Sequence, residues 1–172
     1  PQLREQSLVQ GTVDFISGHY FSSMLDLKAR GVAFEDIVAM RFVDFGMDVY
    51  GNGIVISADM IKNEKAVKGF LAATVKGWKD VIANPQLGIA AAKKRDPLID
   101  EKLEMERLQI SLETNILTPY VKANGMGDVD PARFARAVKD VSEAFGLPNA
   151  PAPDKVFSNA YLPPKADRMV AK

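Results

Sequence analysis

The tripeptide Asp44-Phe45-Gly46 is the first candidate for chemistry in this sequence, because protein kinases bind magnesium through an aspartate in the same motif. A kinase site also needs a glycine-rich phosphate loop, a strand lysine and a catalytic loop of the His-Arg-Asp type upstream. The sequence contains none of these. Gly46, Gly51 and Gly53 supply permissive backbone instead. The segment is therefore predicted to cross between two elements and not to bind magnesium.

His19 is the only histidine, so a metal site built from several histidines is excluded. It follows Ser17 and Gly18, which are predicted to break a preceding strand. In α/β folds, ligands bind beyond the carboxyl ends of the strands. His19 and the adjacent Tyr20 are therefore candidates for lining a pocket, and a structural role for the histidine stays equally open.

Two charged motifs have simpler interpretations. Asp128-Val129-Asp130 could begin a calcium loop, but the glycine and glutamate that such a loop requires are not at the right spacing. Asp130 followed by Pro131 predicts a helix start instead. The run Lys93-Lys94-Arg95 is predicted to end a helix, where it complements the helix dipole. Spacing alone supports no serine–histidine–acid arrangement or carboxylate pair, and we predict no catalytic residue, cofactor or metal ligand.

The elements that would position these residues change in character along the chain. A short helix over residues 3–10 is followed by strands over residues 13–16, 36–42 and 53–56, with a helix around Phe21 to Leu27 between the first two strands. This order predicts an α/β fold. From Ala58 onward the pattern predicts only helices, so the C-terminal portion should be helical.

Proline and capping residues predict the limits of those later helices. Asn84-Pro85 should end one helix, Asp96-Pro97 the next, and Asp100 should cap the one that follows. Trp78 shares a helical face with several apolar residues and is predicted to be buried against the strand 53–56. The other members of that face are Val67, Phe70, Leu71, Thr74, Val81 and Ile82.

Composition excludes several classes of function. Lys plus Arg and Asp plus Glu are both 22, which gives no electrostatic reason to expect nucleic acid as a partner. The absence of cysteine excludes disulfides, thiolate metal sites and cysteine nucleophiles. No apolar run approaches the ~18–20 residues that a membrane helix needs.

Five sequence segments, taken together in their order, resemble the C-terminal half of a periplasmic substrate-binding protein. The branch serves ABC importers of the sulfonate, nitrate, taurine and thiamine-precursor kind and is related to the fungal hydroxymethylpyrimidine phosphate synthase. The segments are VDFISGHYFSSMLDLKARGV, DIVAMRFVDFGMDVYGNGIVIS, AVKGFLAATVKGWKDVIANP, KKRDPLID and TNILTPYVKANGMGDVDPARF.

The resemblance implies part of a two-lobed α/β fold of type II, the Venus flytrap. Residues 1–43 would end lobe two, residues 44–52 would form the inter-lobe hinge, and residues 53–172 would complete lobe one. Family members are longer, so the N-terminal half is expected to be missing from this sequence. The resemblance also implies a set of ligand-binding residues, which are Ser17, Gly18, His19, Tyr20, Asp44, Phe45, Gly46, Tyr50 and Asn52.

The function implied by the resemblance is that of a periplasmic solute-binding component of an ABC importer, with no enzymatic activity. Asp44 favours a ligand with hydrogen-bond donors, such as a pyrimidine-like or other flat heterocycle, and a sulfonate stays open. The alternative is an enzyme of thiamine-pyrimidine biosynthesis related to the fungal synthase. That enzyme uses a cysteine-rich segment and iron, and the lack of cysteine argues against it.

The expected partners are a small-molecule ligand and the membrane subunits of the importer. A missing half would leave strand edges and apolar helix faces uncovered, and such surfaces drive association. The 172-residue chain by itself is therefore expected to self-associate.

Overall fold

The computed structural model describes residues 3–170, which fold into two compact units. The first unit contains the residues up to 41 together with 81–116, and the second contains 42–80 together with the residues from 117 onward. The described residues form nine α-helices. These are α1 (Arg4–Val9), α2 (Tyr20–Lys28), α3 (Glu64–Ala83), α4 (Pro85–Arg95), α5 (Glu101–Ser111), α6 (Pro119–Asn124), α7 (Pro131–Ala144), α8 (Pro153–Val156) and α9 (Lys165–Arg168).

Short turns of other helical types complete the secondary structure. Three 3₁₀ turns span Phe34–Asp36, Phe42–Phe45 and Met60–Lys62, and a π turn at Leu112–Ile116 continues directly from α5. Within residues 3–170, no helix is both long enough and apolar enough to cross a bilayer.

In the first unit, α5 packs against both α2 and α4, and α1 packs against α2. The fully buried Leu25 on α2 lies at the centre of this packing, with Ile89 of α4 and Leu112 also buried. Arg107 of α5 ties the helices together, because its guanidinium lies 3.2 Å from a carboxylate oxygen of Asp26 on α2. These contacts hold α2 against α5.

In the second unit, the C-terminal tail returns to the turn that precedes α7. The Arg168 guanidinium is buried and donates hydrogen bonds to the carbonyl oxygens of Met126 (2.6 Å) and Pro163 (2.9 Å). It also pairs with Asp128 at 3.3 Å. Gly125 permits the close approach, since a Cβ on this residue, at φ +83°, would lie 3.1 Å from the Arg168 backbone.

The predicted helix limits are confirmed by hydrogen bonds at the caps. The Asp130 carboxylate accepts from the Arg133 backbone N–H at 2.7 Å, with Pro131 in the first turn. Asp100 caps α5 in the same manner. Helix α3 ends at Ala83, directly before Asn84-Pro85, as predicted, and Asn84 also caps α4. The basic run ends α4 at Arg95 as predicted. Each of these signals acts within one turn of helix, which is why sequence alone reveals it.

The predicted α/β fold class is wrong. Residues 13–16, 36–42 and 53–56 form no β-strand, and none occurs elsewhere in residues 3–170. Parts of these segments are extended, but Val38 is 86% exposed and Val55 is 94% exposed. A strand needs a neighbour that completes its backbone hydrogen bonds and a layer that covers its apolar face. An apolar run indicates only that burial is possible. The α/β Venus-flytrap architecture that the resemblance implied is likewise not found in residues 3–170.

The predicted packing of Trp78 also needs correction. Trp78 lies half-buried on α3, but the strand that was to cover it is absent from the described structure. Val67 and Val75 are the buried residues of this helix, whereas Phe70, on the predicted apolar face, is mostly exposed. The division into residues 1–43, 44–52 and 53–172 stays a prediction.

Candidate functional site

A cavity of about 370 Å³ lies in the first unit, between the start of α2, the segment that follows it and the end of α5. Its volume falls within the range of about 300–1,000 Å³ that is typical of small-molecule pockets. Most of the lining residues are apolar, and Glu113 and Thr114 add a carboxylate and a hydroxyl to the aromatic Tyr20. The lining residues are Tyr20, Met24, Phe34, Ile37, Ala39, Ile110, Glu113 and Thr114.

Two aromatic side chains of this cavity keep much of their surface open. Tyr20 is 40% exposed and Phe34 is 38% exposed. Tyr20 is the first residue of α2, because His19 is extended and its carbonyl accepts hydrogen bonds from the backbone N–H groups of Ser22 and Ser23. Partly exposed rings beside a cavity can contact the face of a flat ligand.

The polar end of the cavity comes from the π turn. Leu112 is buried and anchors this turn, while Glu113 and Thr114 line the cavity. The Thr114 hydroxyl lies 2.7 Å from the Ile110 carbonyl oxygen, one turn back. Sequence reasoning missed both residues, and we find no sequence signal for a π turn. It also missed Phe34, and it assigned Ile37 to a strand.

The predicted site residues Ser17, Gly18 and His19 directly precede the lining residue Tyr20 in the sequence. They do not line the cavity themselves. Ser17 and His19 are exposed, and the His19 ring stacks on Phe21 with 5.4 Å between ring centroids. Gly18 packs closely, since a Cβ added here would lie 2.2 Å from the Ser23 hydroxyl oxygen. Gly18 therefore has a packing role whatever its relation to a ligand.

The Ser23 hydroxyl is fixed by a buried carboxylate. It donates a 2.9 Å hydrogen bond to Glu5, whose side chain also pairs with Arg4 at 2.9 Å. Burial raises the pKa of the Glu5 carboxyl, but hydrogen bonds from its own backbone, Arg4 and Ser23 outweigh that effect and hold the pKa below its usual value. Glu5 is thus a structural anion that secures the approach to α2.

The second group of predicted site residues belongs to the second unit. Asp44 and Phe45 lie in the 3₁₀ turn Phe42–Phe45, which ends at Gly46. Gly46 has φ +92°, a conformation that glycine adopts without strain, and the backbone N–H of Met47 closes the turn on the Phe42 carbonyl. The turn at this glycine-rich site is consistent with the structural interpretation of Asp44-Phe45-Gly46.

Tyr50 is held against the start of α7. Its hydroxyl accepts a 2.8 Å hydrogen bond from the Asp130 backbone N–H, and the Arg133 guanidinium lies 4.1 Å from its ring centroid. Arg133 also pairs with Asp48 at 2.8 Å. Tyr50 is therefore engaged in packing, while Asn52 is exposed. Because residues 17–20 and 44–52 belong to different units, their convergence on one ligand stays a prediction.

The acidic residues before α7 are occupied by protein groups. Asp130 caps the helix, and Asp128 pairs with Arg168 and accepts from the Asn159 amide. This confirms the capping interpretation of Asp130. Among the described residues, no three acidic or histidine side chains are grouped so that they could hold a metal ion.

Tyr120 lies in the same part of the second unit and donates a 2.6 Å hydrogen bond to the Val129 carbonyl. Burial, and then the nearby Asp128 carboxylate, raise the pKa of its phenol. Both effects keep the hydroxyl protonated and able to donate this bond.

Comparison with known proteins gives two matches. The family model described as NMT1/THI5 like matches residues 2–87. The riboflavin-binding protein RibY of Chloroflexus aurantiacus is 26% identical over 164 residues, which cover 91% of this chain and 44% of that protein. The chain thus spans less than half the length of that relative. No solved structure gave a significant match.

Proposed function

Because this chain belongs to the NMT1/THI5-like family, we propose that it acts as the solute-binding component of an ABC importer and captures a small flat heterocycle. The observation that carries the proposal is the similarity to a riboflavin-binding protein over 91% of the chain. Both matches support a solute-binding function. Delivery to an importer, and a periplasmic or extracellular location, are parts of the proposal.

The cavity supports a ligand of this chemistry. Tyr20 and Phe34 present partly exposed rings, and Met24, Ile37 and Ile110 complete an apolar wall. A planar ring system buries apolar area against such side chains and directs its edge groups to the few polar ones. The volume of this cavity admits a pyrimidine, or part of the larger ring system of a flavin.

The predicted cleft residues extend the proposal. His19 and Ser17 are exposed beside Tyr20, so they remain accessible to a ligand, and Asp44 would accept a hydrogen bond from a ligand N–H. Ligand contact by Gly18 in the first unit, and by Phe45, Gly46, Tyr50 and Asn52 in the second, stays a prediction. A binding protein performs no chemistry, and the function of the named relative agrees with a non-enzymatic role.

The test is ligand binding by the full-length natural protein. We expect riboflavin, or the smaller hydroxymethylpyrimidine, to bind with an affinity that calorimetry or flavin fluorescence measures. His19→Ala and Asp44→Asn should each raise the Kd about tenfold, which corresponds to about 1.4 kcal/mol. Lys94→Ala, an exposed change at the end of α4, serves as control and should leave the Kd unchanged. Absence of binding of both compounds to the unmodified protein would refute the proposed function.

Self-association of the isolated 172-residue chain stays a prediction, and exposed apolar side chains now support it. Phe15, Val38, Val55, Leu98 and Phe145 are all largely exposed. Scattered exposed residues are normal, but this number of large ones favours association. We expect analytical ultracentrifugation to detect species larger than the monomer mass of 18.8 kDa. A single monomeric boundary across a wide concentration range would contradict this expectation.

A further inference from the structure

We infer that the π turn Leu112–Ile116 sets the charge selectivity of the cavity, with Glu113 favouring neutral or cationic heterocycles that carry N–H donors and disfavouring phosphorylated or sulfonated ones. The inference rests on the proposed function, because it specifies which solutes the cavity accepts. It concerns a residue that lies outside the predicted set of site residues.

The first support is the local geometry. π turns are rare in helices and concentrate at functional sites. This one continues directly from α5 beside the cavity, and it is held by the burial of Leu112 and by the Thr114 hydroxyl close to the Ile110 carbonyl. The two polar lining residues, Glu113 and Thr114, both belong to this turn.

The second support is the charge balance around the cavity. Within residues 3–170, no hydrogen bond or ion pair engages the Glu113 side chain. Neighbouring cations are already paired. Lys28, which lies over the Phe34 ring, contacts Glu106 at 2.7 Å, and Arg107 pairs with Asp26. Glu113 is therefore the uncompensated charge among the lining residues.

The third support is the chemistry of recognition. An ionised carboxylate accepts hydrogen bonds and donates none, so it pairs with amino groups and ring N–H groups. A phosphate or sulfonate beside it would meet a like charge and be repelled. The open aromatic surfaces of Tyr20 and Phe34 favour a planar ring without distinguishing its charge. The carboxylate supplies that distinction.

The experiment compares matched ligands that differ by one phosphate, using the full-length natural protein. The pairs are hydroxymethylpyrimidine with its phosphate ester, and riboflavin with riboflavin 5′-phosphate. We expect the unphosphorylated member to bind at least about tenfold more tightly. We define the phosphate ratio as the Kd of the phosphorylated member divided by the Kd of the unphosphorylated one. Glu113→Gln should reduce the phosphate ratio severalfold, and Glu113→Lys should abolish or reverse the preference. Glu101→Gln makes the same charge change at the exposed start of α5 and should preserve the ratio.

The outcomes separate this inference from the proposed function. If the protein binds a solute but Glu113→Gln and Glu113→Lys leave the phosphate ratio unchanged, with circular dichroism showing intact folding, the inference is wrong and the binding function stands. A loss of affinity in His19→Ala with no change in either Glu113 variant would also overturn it, because the ligand would then lie elsewhere. If none of the four compounds binds, the proposed function fails and the inference fails with it.

Discussion

Replacing Arg168 with methionine is expected to lower the free energy of unfolding of the second unit by about 3–5 kcal/mol, the usual cost of removing one partner of a buried ion pair. The Arg168 side chain is only 7% exposed, and it holds Asp128 together with the carbonyl oxygens of Met126 and Pro163. Methionine fills similar volume but donates no hydrogen bond. All three acceptors would therefore lose a partner in a poorly hydrated site.

Urea unfolding monitored by Trp78 fluorescence measures this effect, because Trp78 belongs to the same unit as Arg168. Arg136→Met removes an exposed arginine from α7 and should change stability by less than about 0.5 kcal/mol. Repeating Arg168→Met in an Asp128→Asn background should reduce the loss of stability, because the half-buried carboxylate is then replaced by a neutral amide. Equal losses of stability in the two backgrounds would show that the Arg168–Asp128 ion pair contributes nothing to stability.

Gly18→Ala is expected to destabilise the protein by about 1–3 kcal/mol, the cost of a buried polar group that loses its hydrogen bond. The new Cβ would lie 2.2 Å from the Ser23 hydroxyl oxygen, so Ser23 must rotate away from Glu5. Gly77→Ala is the matched control, because a Cβ there meets nothing within 4 Å on α3. This control should stabilise the protein by about 0.5–1 kcal/mol, since alanine is the better helix residue.

The destabilisation caused by Gly18→Ala should also depend on pH. Urea unfolding monitored by circular dichroism measures the destabilisation and its pH dependence. The pKa of Glu5 is lowered in the folded state, so its stabilising contribution is complete above the unfolded value of 4.5 and is lost as the pH falls through the folded value. Gly18→Ala removes one of the bonds that lower this pKa. The difference in the free energy of unfolding between the variant and the unmodified protein should therefore become smaller below pH 4.5. If this difference in free energy stays constant or grows on acidification, the role assigned to Glu5 is wrong.

The sequence by itself determined the local features of this protein. Asp130 with Pro131 and Asp100 each placed a helix start, whereas Asn84 with Pro85 and the basic run before Asp96 each placed a helix end. These signals rest on hydrogen bonds and steric limits that act within a few residues, so no distant contact can easily change them. The segments that resemble binding proteins likewise indicated the broad family that the comparison then showed, while the specific branch stays a prediction.

Tertiary structure alone decided which apolar residues are buried and where the cavity lies. Residues 36–42 and 53–56 read as buried strands, but a strand exists only where another backbone segment pairs with it, and none does so in the described chain. Arg168 and Glu5 are charged residues that the sequence would place on the surface, yet both are buried. Arg168 is satisfied by Met126 and Asp128, and Glu5 accepts a hydrogen bond from Ser23 of the next helix. Glu113 reaches the cavity through a π turn. Each of these features depends on groups far apart in the chain, which no local pattern records.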